Sequence, residues 1–264
     1  MKGVDVPPHK SGRSAIKTIV SSRGIECALK TITMTRTAGK WLNGTFISEG
    51  DQRPASQLAP DFDLPTVNGG RFRLRECIHQ RPVLLEFACI TDPLAAGARP
   101  VLKNLYDEFG DRMQFVSVYV REAHPGENYP HHTSYEQKMR HARAWVSQDG
   151  IPWMVAVDSL EGTTHQAYGC TANPAYLIGR SGHVAFRALC AGQEGVLRDK
   201  LKELLRREAN GENPVILGQK RNLMIPYIRE AAEIDYALGR AGKKSLEDFH
   251  CAVGTTKNLS QNIE

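Results

Sequence analysis

The stretch Val83-Leu84-Leu85-Glu86-Phe87-Ala88-Cys89-Ile90-Thr91-Asp92-Pro93 constrains the fold more than any other part of the chain. Its continuous apolar character up to Ala88 suits a strand covered on both faces. The run stops at Cys-Ile-Thr-Asp-Pro. Asp followed by Pro is a favoured helix start: the carboxylate accepts from free N–H groups of the first turn, and the fixed φ of proline suits the first helical position. Leu94, Ala98, Val101, Leu102, Leu105 and Phe109 then recur at three- and four-residue steps, which predicts a helix over 93–109. A buried strand running into a helix brings Cys89 and Asp92 to the end of one and the start of the other. That is where α/β folds place ligands and where the helix end favours negative charge. Glu86 interrupts the apolar run and requires a partner or an exposed end.

Strands and helices alternate on either side. Ala59–Pro65, Asn68-Gly69-Gly70 and Arg71–Leu74 read as strand, turn and strand, with Phe62 and Leu64 alternating before the turn and Phe72 and Leu74 after it. Met113–Val120 is β-branched and alternating. A long polar loop, 121–133, leads to Ser134 as N-cap, with Gln137 placed to complete a capping box, and a helix to about Gln148. Trp153–Asp158 is a strand, Thr163–Gly169 a short helix or turn, and Asn173-Pro174 precedes a strand at Ala175–Ile178. That strand turns into Val184–Arg187, and an amphipathic helix follows from Gln193 to Asn210. The order βαβαβ then ββα predicts an α/β three-layer sandwich with a mixed central sheet flanked by helices, over residues 58–211. Residues 1–57 form an N-terminal extension with a hairpin turned at Asn43-Gly44. Ala15–Val20 and Ala28–Ile32 suit a short strand or a helix equally. Residues 212–264 form a C-terminal helical extension, with Ile225, Ile228, Ala232 and Leu238 at helical spacing.

Composition bounds the function. In 264 residues the net charge is only +5, and Lys and Arg never run together for more than three positions, which argues against a nucleic-acid partner. No apolar run is long enough to span a bilayer. The six cysteines are scattered, with neither metal-knuckle nor Cys-x-x-Cys spacing, so reduced thiols in a cytoplasmic protein are expected. The first forty residues lack a long apolar core and so do not read as a secretory signal; their basic, Ser- and Thr-containing composition leaves an organelle transit peptide open.

Several stretches together resemble a known family. Ala59-Pro60-Asp61-Phe62-Asp63-Leu64-Pro65 is similar to the opening of peroxiredoxin-type redoxins. Tyr119-Val120-Arg121-Glu122-Ala123-His124-Pro125 resembles the Tyr-Ile-x-Glu-Ala-His stretch of iodothyronine deiodinases and their bacterial relatives. Val157-Asp158, Tyr168-Gly169 and Pro174–Ile178 follow in that family's order. The resemblance covers about Ala59 to Asn210 and implies a thioredoxin-like fold. The family's strand ends in Phe-Gly-Ser-Cys-Thr-Sec-Pro, or has Cys for selenocysteine, so its reactive position falls on Asp92. A carboxylate cannot form a selenenyl or sulfenyl intermediate. The resemblance also implies substrate handling and proton transfer for Glu122, His124 and His132, with His131 an equal match for the last.

Cys89 lies three residues before Asp92, where a helix N-terminus stabilises a thiolate; the alternative is a small buried apolar residue at a strand end. With no local resolving cysteine, the choices are Cys170 or an external thiol. Thr91 and the Pro174 backbone are candidate substrate-binding groups, with Asn173–Pro174 expected to be cis. His141, His165 and His183 are expected on surfaces. His124, His131 and His132 with Glu122 or Asp92 offer a metal-assisted alternative, but their spacing matches no standard site, so neither metal nor cofactor is expected. Two functions follow. One is thiol-dependent reduction of a small-molecule substrate with Cys89 as nucleophile, a thiol reductant as partner, and a homodimer compatible with the pattern. The other is a non-redox binding or interaction module in which Asp92 caps a helix.

Overall fold

The structure is a computed structural model that describes residues 39–42, 45–48, 57–188, 190–212 and 231–253. The expectations at 15–20, 28–32, Ile225 and Ile228 lie outside these residues. The strands β1 (Gly39–Leu42) and β2 (Thr45–Ser48) pair antiparallel with Leu42 opposite Thr45, the register of the hairpin read at Asn43-Gly44. β3 (Asp63–Pro65) pairs antiparallel with β4 (Arg71–Arg73), Leu64 opposite Phe72. Leu74, expected to continue that strand, instead opens the short helix α1 (Leu74–Ile78).

The main sheet is built from β5 (Val83–Ala88), β6 (Gln114–Tyr119), β7 (Met154–Val157), β8 (Ala175–Ile178) and β9 (Val184–Ala188). Their order across the sheet is β7-β6-β5-β8-β9, with β5, β6 and β7 parallel and β8 and β9 reversed. This is a thioredoxin-like arrangement with β5 at the centre. α2 (Pro93–Phe109) joins β5 to β6, and α3 (Tyr135–Asp149) joins β6 to β7. Two crossovers advancing the same way across a sheet place both helices on one face, because both are right-handed. α5 (Glu194–Ala209) packs beside α2 on that face. The opposite face carries the hairpin β3–β4, α1 and α4 (Thr163–Ala167). There the Phe87 ring stacks on His165 at 5.4 Å and lies 5.0 Å from the Tyr168 ring.

Every residue of β5 is buried, as its unbroken apolar run requires. Glu86 is no exception, and it has partners. Its carboxylate accepts from Ser117 Oγ at 2.6 Å, from Asn173 Nδ2 at 2.8 Å and from both terminal nitrogens of Arg99 at 3.4 Å. Arg99 comes from α2 and lies over the Trp145 ring of α3, 4.6 Å from its centroid. The charged group therefore ties the strand to the helices of one face.

Two further helices, α6 (Ala231–Ala241) and α7 (Lys243–Val253), return to the sandwich and pack on α2 and on the loop after β6. Gly242 between them has φ +126, and a Cβ there would fall on the Glu127 carboxylate. A Cβ at Gly126 would likewise meet the Ala241 carbonyl. Backbone meets backbone at this contact, and the Asn128 N–H donates to that same carbonyl at 2.9 Å. No helix among the described residues is long and apolar enough to cross a membrane.

Candidate active site

The strand-to-helix junction forms as the residues dictate. Asp92 takes an extended conformation and accepts from the Leu94 N–H at 2.9 Å, with Pro93 next as the first helical residue. Ser134 caps α3 by accepting from the Gln137 N–H at 3.2 Å. Gln137 reaches back one residue further than a capping box requires, to the Thr133 N–H at 2.8 Å.

Glu122, three residues beyond β6, is the hub of the site. Its Oε1 accepts from Tyr119 Oη and is 3.0 Å from both His132 Nε2 and His141 Nδ1. Its Oε2 accepts from Thr91 Oγ1 at 2.8 Å. Thr91 Oγ1 in turn accepts from the His124 N–H at 3.2 Å and lies 3.6 Å from Cys89 Sγ. The sulfur accepts from the Ala123 N–H at 3.2 Å. A chain of polar contacts thus runs from the thiol through Thr91 to Glu122 and two imidazoles, all of it buried.

Burial and charge set the protonation states. Burial pushes the Glu122 carboxyl up, but hydrogen bonds from His132, His141 and Tyr119 outweigh it and hold the group at about 2. Burial pushes the Cys89 thiol well above its ordinary value, and the negative charges of Glu122 and Asp92 add to that. Asp92 is raised to about 6, by burial first and by the nearby Glu86 charge, against the donation from Leu94. Burial lowers His124 to about 4. In this form Cys89 is a neutral thiol beside an ionised carboxylate.

Cys89, Thr91, Glu122 and His132 converge as the sequence suggests, and His132 rather than the exposed His131 reaches the hub. The side chain of His124 turns the other way, its ring edge-on to Phe249 of α7 at 5.7 Å. Pro174 lies at the start of β8, and its carbonyl accepts from the Phe87 N–H at 3.3 Å. Four expectations need correction. The Asn173–Pro174 peptide is trans. The turn is made instead by Cys170 and Asn173 in left-handed conformation, at φ 48 and 44, and the Asn173 side chain is held on Glu86. His141 and His165 are buried rather than on the surface. The grouped metal-ligand atoms are those of Glu122, His132 and His141, without His124, His131 or Asp92. Tyr119 and His141 are members that sequence reasoning missed. His141 had a signal: it shares a helical face with Lys138, Ala142 and Trp145, all buried.

The junction is sealed from outside, with Cys89 only 1% exposed and Thr91 not at all. α6 and α7 are tied to its edge by four contacts. Arg240 Nε donates to the Ile90 carbonyl at 2.6 Å, and Arg240 Nη1 pairs with Asp149 at 2.6 Å. Tyr236 Oη donates to the same Asp149 oxygen at 2.9 Å. Ser245 Oγ donates to the His124 carbonyl at 3.1 Å.

No family model matches the chain. It is 25% identical over 167 residues to thyroxine 5-deiodinase of Sparus aurata, covering 59% of this chain and 61% of that one. It is 27% identical over 169 residues to the Homo sapiens thyroxine 5-deiodinase, covering 60% of this chain and 53% of that one. The chain thus spans between half and two thirds of the length of these curated relatives. Solved structures with a similar fold include an uncharacterized conserved protein from Geobacillus kaustophilus, with 17% identity, a TM-score of 0.49 and coverage of 65% and 89%. Another is a thiol-disulfide oxidoreductase from Bacteroides fragilis, with 21% identity, a TM-score of 0.42 and coverage of 56% and 99%. The chain is a thioredoxin-like protein that resembles the deiodinases.

Proposed function

We propose that this chain is a thioredoxin-fold reductase that uses Cys89 as nucleophile and an external thiol as reductant. The observation that carries the reading is the setting of the sulfur. It sits at the end of the central strand, 3.2 Å from the Ala123 N–H, with the Thr91 hydroxyl beside it and Glu122 behind that hydroxyl. An N–H aimed at sulfur favours the thiolate once water reaches it. The similarity to thyroxine 5-deiodinases supports redox chemistry at this junction, without assigning it to Cys89.

The chemistry balances as thiol exchange. The Cys89 thiolate attacks one sulfur of a small disulfide, an S–S bond forms, and the second sulfur leaves as a thiolate with the electron pair of the broken bond. An external thiolate then attacks the mixed disulfide and releases Cys89 reduced. The leaving thiolate takes up the proton that Cys89 must lose, and the Thr91 hydroxyl, held by Glu122, lies beside the sulfur along its path. The sealed form described above is the resting state, and α6 and α7 must move aside for substrate to enter. Asp92 caps the helix and carries no redox step.

A second reading, a non-redox binding module, is favoured by the satisfied Asp92 cap and the neutral, buried Cys89. One comparison separates the two. Turnover of thiol-coupled disulfide, peroxide and iodo-aromatic substrates is measured for wild type and Cys89→Ser. Loss of turnover in the variant supports the reductase; equal residual rates would leave only the binding module. Asp92→Cys is expected to add a second alkylatable thiol at the junction.

A further inference from the structure

We infer that Glu122, His132 and His141 form a binding site for one divalent first-row transition cation. The inference stands apart from the redox reading, since it rests on ligand geometry and is tested by metal content.

Two of the residues, Glu122 and His132, come from the loop between β6 and α3, and His141 comes from α3 itself. Their ligand atoms all lie within 4.8 Å of one another, the one such group among the described residues. The two imidazole nitrogens converge on the same oxygen, Glu122 Oε1, each at 3.0 Å. Tyr119 Oη donates to that oxygen too. A carboxylate oxygen has two lone pairs, so three donors on one atom are more than it accommodates with good geometry. A cation bonded to the oxygen and both nitrogens replaces two of those contacts. Zinc binds imidazole at about 2.0–2.1 Å and carboxylate at about 2.0–2.2 Å, which puts tetrahedral ligand atoms roughly 3.3 Å apart. The two nitrogen-to-oxygen separations, at 3.0 Å, are close to that value, and the two nitrogens lie within 4.8 Å of each other.

The surroundings suit an ion. Two imidazoles and one carboxylate are a donor set for zinc, iron or cobalt rather than for calcium or magnesium. The side chains of Glu122, His132 and His141 are 0%, 4% and 9% exposed, so little water competes. The carboxylate is oriented from behind by Thr91 on Oε2, and the His141 ring is held edge-on by Tyr129 at 5.0 Å. Three protein ligands leave a fourth position open.

The full chain is stripped of metal and titrated with zinc(II) and, separately, with cobalt(II) as a spectroscopic probe. One equivalent is expected to bind, with the visible d–d bands of low-coordinate cobalt and a rise in melting temperature with zinc. His132→Gln and His141→Gln are each expected to weaken binding at least tenfold, and His131→Gln, one residue away and exposed, to leave it unchanged. Binding that survives both ligand variants overturns the site. So does a wild-type chain that takes up no stoichiometric cobalt, an outcome that remains decisive if a variant fails to fold.

Discussion

Arg240→Ala is expected to unlatch the C-terminal helices without unfolding the sandwich. The wild-type guanidinium makes two short contacts across the junction, to the Ile90 carbonyl and to Asp149, and the side chains of Arg240 and Asp149 are 9% and 2% exposed. Removing one partner of a buried pair costs about 3–5 kcal/mol, because the other charge is left in poor surroundings. The cost falls on the closed form alone; when α6 and α7 swing out, Arg240 and Asp149 part in any case. At the low end, about 3 kcal/mol with 1.4 kcal/mol per tenfold, the open population rises roughly 100-fold. Iodoacetamide labelling followed by peptide mass spectrometry reads this directly. Cys89 is expected to label about 100-fold faster in the variant, while the half-buried Cys77 of α1 changes less than twofold. The rate should depend weakly on urea, since little surface is exposed by local opening. An unchanged Cys89 rate, or one whose urea dependence matches global unfolding, would refute the reasoning.

Asp92→Asn tests the raised carboxyl at the cap. The folded value of about 6 lies above the ordinary 3.8, raised first by burial and then by Glu86, with the Leu94 N–H and Arg99 opposing. The stability Asp92 contributes is therefore full below about pH 4 and is lost as pH rises through 6, because the unfolded chain ionises first. Asparagine caps as well without that loss, so the variant should gain up to about 3 kcal/mol by pH 7. Urea midpoints from pH 3.5 to 7 check this, and an advantage that does not vary with pH sinks it. Glu86→Ala strands Arg99 among Trp145, Trp153 and the more distant Asp149. A loss of about 3–5 kcal/mol in chemical unfolding is expected, with Arg99→Met restoring most of it; a loss below about 1 kcal/mol contradicts the role given to the pair.

Local physics made much of this molecule readable from its residues. The run from Val83 to Ala88 had to be covered on both faces, Asp92-Pro93 had to start a helix, and Glu86 had to find a partner, because each follows from near neighbours or from the cost of burying charge. Glu122 and His132 were legible through resemblance rather than through spacing. What stayed hidden depended on contacts between distant elements. His141 meets Glu122 only because α3 lies beside β6, and no motif links the two in sequence. The Asn173 side chain is drawn to Glu86, a contact 87 residues away that no local pattern announces. The places where α6 and α7 dock stayed hidden for the same reason, since an amphipathic pattern shows that a face is buried but not against what.

The latch contacts have an unusual reach along the chain: Arg240 lies 150 residues after Ile90, and Ser245 lies 121 after His124. Translation proceeds at about 5–20 residues per second, so the covering helices are made roughly 8–30 s after the cysteine they cover. The sandwich is complete before they exist. During synthesis the junction is therefore made well before the helices that are tied to it. A product that stops before Arg240 lacks the tethers to the Ile90 carbonyl and to Asp149.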